Sequence, residues 1–180
     1  MCYNVVIGYM VYLLFGVSEM YESDTALQTC CFLGHREICE TEELKKQVYE
    51  RIEQLVTEER VALFLFGSKS RFNSLCYELV TELKKKYPHI RRVYVRAEYP
   101  VIGEDYKRYL LECYEDTYYP ASVCGAGRAV YVKRNMEMIE RSHFCVFYYD
   151  ELCVTKGRKS GTKIAFDYAK KHKKEIDRFP

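Results

Sequence analysis

Apolar and polar positions alternate along the chain with two different periods, which predicts strands and helices in turn. Continuous apolar runs cover residues 29–33, 61–66 and 143–149, and a fourth run at 91–97 interleaves apolar residues with arginine. Runs of this length are typical of strands that are buried on both faces of a parallel sheet. Between the runs, apolar residues recur every three or four positions, and this spacing predicts amphipathic helices.

The helical spacing predicts five helices. The first begins near Thr41, a residue type that favours helix N-termini, and the second ends before Pro88. The fourth is expected to bury Val132, Met136 and Ile139 on one side. The predicted helices cover the apolar positions of 44–56 and 72–83, residues 104–115 and 129–141, and a segment after Gly161.

Strand and helix therefore alternate, and a short fifth strand is predicted within residues 170–177. Right-handed crossovers between parallel strands accommodate this order most simply. The expected fold class is α/β, with a Rossmann-like, mostly parallel sheet of about five strands and helices on both faces. Residues 29–180 are expected to form one domain.

Residues 1–28 are interpreted separately, as an apolar leader and linker. The apolar run at 2–17 is shorter than the roughly 20 residues that a spanning helix needs. It has no basic region before it and no small-residue cleavage site after it, so it is a poor signal peptide. Two interpretations remain open: a peripheral element packed on the domain, or a leader that begins at a start codon placed too early.

Composition narrows the classes of partner. The 180 residues include 28 Lys and Arg against 26 Asp and Glu, a net charge of +2, which is far from the strongly basic balance of a dedicated nucleic-acid binder. The nine cysteines include no C-x-x-C pair, and His143 with Cys145 lacks two further ligands at zinc-site spacing. We therefore expect a cytoplasmic protein with buried free thiols, no metal, no cofactor, and no nucleic-acid or membrane partner; a homo-oligomer is left open.

Candidate chemistry follows the predicted strands. In a parallel sheet a ligand binds beyond the carboxyl ends of the strands, near the point where the strand order reverses. The residues at or near these ends are the candidate ligand-binding set, with Glu98 also a candidate catalytic acid. They are Gly34, His35, Arg36, Gly67, Ser68, Ser70, Phe72, Asn73, Glu98, Tyr99, Arg134, Asn135, Ser160, Gly161 and Thr162.

Two glycine loops in this set suggest a phosphate site. The loops at Gly67 and Gly161 each precede a helix, where free backbone N–H groups and the helix dipole favour an anion. The simpler interpretation is that the glycines permit tight turns while Ser70 and Ser160 cap the helices. Convergence of both loops at one sheet edge favours the ligand site.

Several segments together resemble the SLOG superfamily, named after SMF/DprA and LOG proteins, and most closely its YpsA-like branch of bacterial proteins. The resemblance extends from Thr29 to Asp177. It is carried by TCCFLGHR, GSKSRFNSL, KKKYPHIRRVYVRAEYP, YVKRNMEMIERS and KSGTKIAFDYAKK, in that order. It implies a Rossmann-like sheet with a nucleotide or nucleotide-derivative site at the glycine loops.

The resemblance also implies roles for single residues. Gly34, His35 and Arg36 match the G-H-R signature, and Arg134 resembles the arginine that LOG enzymes carry on the helix before their P-G-G-x-G-T loop. Gly161 and Thr162 resemble the last two residues of that loop. The catalytic glutamate of LOG enzymes, two residues further on, is replaced here by Ile164. The sequence departs from the family pattern at two further places. Gly67-Ser68 stands where many relatives have Gly-Gly, and Phe72-Asn73 stands where many have Phe-Asp.

Three functions follow as expectations. The first is a module that binds or senses a nucleotide or an ADP-ribose-like ligand, with Arg134 and the loop hydroxyls on phosphate and Tyr99 or Phe72 near the base. The second is an N-glycosidic hydrolase of nucleotides, which needs a carboxylate such as Glu98. The third, single-stranded DNA binding as in DprA relatives, is disfavoured by the near-neutral charge.

Overall fold

A computed structural model, which describes residues 27–67, 69–151 and 160–180, has a six-stranded parallel sheet. The strands are β1 (Gln28–Gly34), β2 (Val61–Phe66), β3 (Arg91–Val95), β4 (Asp116–Tyr118), β5 (Phe144–Tyr148) and β6 (Glu175–Phe179). Their order across the sheet is β4-β3-β2-β1-β5-β6, and every neighbouring pair is parallel. The α/β, Rossmann-like fold is confirmed, with one strand more than expected.

Five helices connect the strands. They are α1 (Glu42–Thr57), α2 (Arg71–Lys86), α3 (Glu104–Cys113), α4 (Val130–Arg141) and α5 (Gly161–Lys171). The hydroxyl of Thr41 caps α1 by accepting a hydrogen bond from the Leu44 N–H at 3.1 Å. A side-chain oxygen at this position satisfies one of the N–H groups that a helix start leaves unpaired.

The sheet is buried on both faces, as its apolar strands predict. Cys30 and Cys31 are adjacent on β1 and point to opposite sides, each into a different apolar cluster. Helices α1 and α2 cover the first face, and α4 and α5 cover the second. Helix α3 is the exception, because Leu110 is its one buried residue.

The sixth strand, β4, was missed because its signal is weak. It has three residues, it pairs with β3 at the edge of the sheet, and none of its side chains is fully buried. An edge strand of this length needs no apolar run, so periodicity does not reveal it.

The predicted inner face of α4 is partly wrong. The helix buries Arg134, Met138 and Ile139, whereas Val132 and Met136 are half-buried. Hydrophobic periodicity assigns a charged residue to solvent, and here the buried stripe includes one.

The cysteine and histidine pair considered as metal ligands is used in other ways. Cys145 faces Cys31 with 3.6 Å between their Sγ atoms, and His143 Nδ1 accepts a hydrogen bond from the Thr29 N–H at 3.1 Å. Within the described ranges, no three His, Cys, Asp or Glu side chains are grouped as a metal site would require.

No helix in the same ranges is long and apolar enough to cross a bilayer. The interpretation of residues 1–28 as a leader falls almost wholly outside the described residues.

The strand order reverses beside β1. From β1 the chain moves outward through β2, β3 and β4, then returns to place β5 on the other side of β1. Helices diverge from this point toward opposite faces of the sheet, which leaves a crevice beyond the carboxyl ends of β1 and β5.

Candidate functional site

A cleft of about 510 Å³ lies at this crevice and extends past the ends of β2 and β3. Its volume is within the range of small-molecule sites. It is lined by Gly34, His35, Arg36, Gly67, Lys69, Ser70, Tyr94, Arg96, Ala97, Glu98, Tyr99, Tyr106, Tyr131, Arg134, Asn135, Ser160, Gly161 and Thr162. The structure therefore brings together most of the candidate residues, although they come from five segments of the chain.

The loop after β1 is fixed by two contacts. A Cβ at Gly34 would lie 2.5 Å from the ring of Phe72, so only glycine allows this ring to pack at the end of the strand. His35 Nε2 is 3.1 Å from both the backbone nitrogen and the backbone oxygen of Asp150. The histidine thus joins the ends of β1 and β5, while the Arg36 side chain is exposed in the cleft.

The loop after β2 leads into α2 through a side-chain cap. Ser70 Oγ accepts a hydrogen bond from the Asn73 N–H at 3.2 Å. Asn73 Nδ2 in turn donates to the Phe32 carbonyl at 3.2 Å, below the cleft. Ser68, also expected to bind ligand, is outside the described residues. The capping interpretation of Ser70 is confirmed, and because Ser70 also lines the cleft, its role in ligand binding stays a prediction.

Helix α5 begins at the opposite wall. Ser160 Oγ accepts from the Lys163 N–H at 3.0 Å, and Ser160, Gly161 and Thr162 all line the cleft. The first N–H groups of a helix lack partners within the helix, and the dipole adds a partial positive charge there. Two helix starts, those of α2 and α5, therefore present positive ends to one cavity.

Arg134 is the most unusual side chain of the site. It is only 4% exposed, its Nη1 donates to the Gly67 carbonyl, and its Nε donates to Asn135 Oδ1 at 3.0 Å. A Cβ at Gly67 would lie 2.9 Å from the guanidinium, so this glycine makes room for the arginine. Burial lowers the pKa of Arg134 to about 10.

A second buried arginine shows what Arg134 lacks. Arg92, 8% exposed, forms two hydrogen bonds through its guanidinium with the Glu115 carboxylate, at 2.8 and 3.2 Å. These bonds keep the pKa of Arg92 above its usual value despite burial. Among the described residues, no carboxylate forms an ion pair with Arg134. Buried charges are normally paired, so a buried guanidinium without an ion pair among the described residues is unusual.

Glu98, the one acidic residue of the described lining, and the aromatic residues lie at the β3 side of the cleft. The Tyr131 hydroxyl donates to the Glu98 carboxylate, and the Arg134 guanidinium carbon is 5.9 Å from the centre of the Tyr131 ring. Tyr99 is 68% exposed and has a positive φ of 47°. Tyr94 and Tyr106 complete this side.

Two candidate residues do not line the cleft. Phe72 is fully buried against Gly34 and Tyr148, and Asn73 holds the end of β1 in place. Both position the loops. Six lining residues were not in the candidate set: Lys69, Tyr94, Arg96, Ala97, Tyr106 and Tyr131. Of these, Lys69 lies in the glycine loop after β2, and the others are outside both glycine loops. The high tyrosine content, 18 residues against no Trp, was the one signal that pointed to a tyrosine-lined rim.

The charges of the cleft are unequal. Its described lining carries the basic side chains of Arg36, Lys69, Arg96 and Arg134 and the single acid Glu98. Field lines concentrate in such a cleft, so it attracts anions although the net charge of the whole chain is near zero.

Comparison of the chain with models of protein families and with curated proteins found no match. The function must therefore be argued from the chemistry of this cleft.

Proposed function

We propose that the protein binds a nucleotide or a nucleotide derivative of the ADP-ribose type in this cleft. The observation that carries the proposal is the Arg134 guanidinium, which is buried at the floor of the cleft with no carboxylate partner among the described residues. A phosphate would supply the missing negative charge and accept hydrogen bonds from the guanidinium. The cost of burying this cation is then recovered when the ligand binds.

The two helix starts support the same assignment. Gly161 and Thr162, in the first turn of α5, line the cleft. At α2 the N–H groups of Arg71 and Asn73 already donate to the Arg36 carbonyl and to Ser70 Oγ, so the contribution of that helix is its dipole. Phosphate groups favour such positions because the N–H groups and the dipole act together. Phosphate recognition would thus be divided between a buried cation and two helix N-termini.

The thiols support a reducing compartment, and we include the cytoplasm in the proposal. All seven cysteines in the described residues are free. Cys31 and Cys145 are free even though their Sγ atoms are only 3.6 Å apart. Proteins of oxidising compartments tend to bridge such pairs.

Calorimetry with a nucleoside and its 5′-monophosphate tests the proposal. We expect AMP to bind and adenosine to bind at least tenfold more weakly. Arg134→Met should weaken AMP binding by about 10- to 150-fold, the value of a hydrogen bond to a charged group. Arg141→Met is the matched control, because Arg141 is on the same helix, pairs with Glu137 at 2.6 Å and does not line the cleft. Equal affinity for AMP and adenosine, or unchanged AMP binding by Arg134→Met, would contradict the proposal.

A hydrolase that cleaves the N-glycosidic bond is the second candidate, favoured by one observation. Glu98 lines the same cleft as Arg134 and accepts a hydrogen bond from Tyr131, so a carboxylate is available beside the proposed phosphate site. Ile164, which stands at the position of the LOG catalytic acid, does not line the cleft. Catalysis in this protein would therefore depend on Glu98.

A further inference from the structure

Four tyrosines from separate segments line the cleft. Tyr94 is on β3, Tyr99 on the loop after it, Tyr106 on α3 and Tyr131 on α4. We call this group the tyrosine end.

The rings are open to a ligand. Tyr106 is 44% exposed, Tyr131 49% and Tyr99 68%, although large apolar surfaces are usually covered in a folded protein. The Tyr106 ring borders the cleft and is nearly parallel to the ring of Tyr109, with centroids 6.3 Å apart and planes 17° apart.

The tyrosine end is joined to the buried arginine. The Arg134 guanidinium carbon is 5.9 Å from the centre of the Tyr131 ring, and the Tyr131 hydroxyl donates to the Glu98 carboxylate. These three side chains are thus neighbours in the cleft. A ligand with a phosphate on Arg134 would carry its next groups directly toward the rings.

Resting on the function proposed above, we propose that the tyrosine end binds the nucleobase by stacking and accepts purines and pyrimidines alike. Aromatic rings recognise the π-face that every base has, whereas discrimination among bases needs hydrogen bonds to their edges. The Tyr131 hydroxyl already donates to Glu98, so it is not available as a donor to a base edge. Selection for the ligand then comes from its phosphate.

The absence of tryptophan makes this directly measurable. The chain has no Trp, so Tyr106→Trp places a single indole at the tyrosine end and retains an aromatic face. Stacking of a base quenches or shifts the emission of that indole. Tyr168→Trp is the control, because Tyr168 is on α5, contacts His172 and does not line the cleft.

The ligands in the titration are AMP, GMP, CMP, UMP and ribose 5-phosphate, which has the phosphate but no base. We expect all four nucleotides to change the emission of Tyr106→Trp but not of Tyr168→Trp, with affinities within about tenfold of one another and purines tighter. Ribose 5-phosphate should leave the emission unchanged. By calorimetry, Tyr106→Leu should weaken AMP binding by about 5- to 150-fold and ribose 5-phosphate binding by less than twofold.

The outcomes separate this proposal from the function on which it rests. If ribose 5-phosphate binds as tightly as AMP, the phosphate site stands and the base site is wrong. If one nucleotide binds more than 100-fold more tightly than the other three, tolerance for the base is wrong. If none of the five ligands binds, both proposals fail. A single-stranded oligonucleotide without a terminal phosphate, included as a competitor, would overturn the assignment to free nucleotides if it bound more tightly than AMP.

Discussion

Replacing Arg134 with methionine distinguishes a residue kept for ligand binding from one kept for folding. Methionine retains an unbranched apolar stem and removes the charge. Burial lowers the pKa of Arg134 to about 10, whereas an ordinary guanidinium stays above 12. Each pKa unit corresponds to about 1.4 kcal/mol, so burial of this charge costs the folded protein about 3 kcal/mol. The cost is fully present at pH 7, where folded and unfolded chains are both protonated, and it decreases only as the pH rises through 10.

Two losses offset the gain. Arg134→Met removes the hydrogen bonds to the Gly67 carbonyl and to Asn135, and each bond from this charged donor contributes about 1.5 kcal/mol. The gain and the losses therefore nearly cancel, and we expect the free energy of unfolding of the ligand-free protein to change by less than about 1 kcal/mol. Binding of AMP should weaken at the same time, so the substitution separates affinity from stability.

Urea denaturation at pH 7, followed by circular dichroism without ligand, measures the stability change. Arg92→Met is the contrasting variant, because it removes the guanidinium from the partly buried Glu115 carboxylate and leaves it the more distant Lys84 ammonium, at 3.7 Å. We expect that variant to lose about 1 to 3 kcal/mol. If Arg134→Met destabilises the protein as much as Arg92→Met, the guanidinium is a structural anchor, and the inference drawn from its missing carboxylate partner is refuted.

Three further predictions concern packing, catalysis and pH. Gly34→Ala should lower the free energy of unfolding by about 1 to 3 kcal/mol in urea denaturation, since its Cβ would lie 2.5 Å from a buried ring; unchanged stability would contradict this packing. Base release from nucleoside monophosphates should be negligible in the wild type and appear, if at all, only in Ile164→Glu; efficient release that is lost in Glu98→Gln would instead establish a hydrolase. Burial raises the pKa of Glu115, but the hydrogen bonds and charge of its arginine partner outweigh burial and hold the pKa below its usual range. Stability from this pair is therefore present at neutral pH and lost as the pH falls below about 4.5, and Glu115→Gln should flatten that part of the stability curve.

The fold was largely predictable because its signals are local. Continuous apolar runs identify β1, β2 and β5, and Thr41 marks the start of α1 by chemistry that operates within four residues. The edge strand β4 carries no such signal, since it has only three residues and none of its side chains is fully buried. What defines β4 is a tertiary contact.

The loop residues of the candidate site were predictable from the sequence, whereas the residues that α3 and α4 contribute were mostly not. Parallel topology brings the ends of β1 and β2 and the start of α5 together, so loop residues such as Ser70 and Ser160 could be grouped in advance. The positions of Tyr106 and Tyr131 depend on how α3 and α4 lie against the sheet edge, which periodicity does not specify. Arg134 was reached by its place near the crevice and by resemblance, because a helical pattern alone assigns its charge to solvent.

Helix α3 has a consequence for the energetics of binding. Of the five helices described, it buries the fewest side chains, with Leu110 alone in the core, yet it carries Tyr106 into the cleft. Elements with so little buried surface open locally at a small fraction of the global unfolding free energy, and their amide hydrogens exchange early. The affinity measured for a base then includes the free energy of keeping this helix closed. Substitutions on the outer face of α3 that raise its helix propensity would therefore tighten binding without touching the ligand.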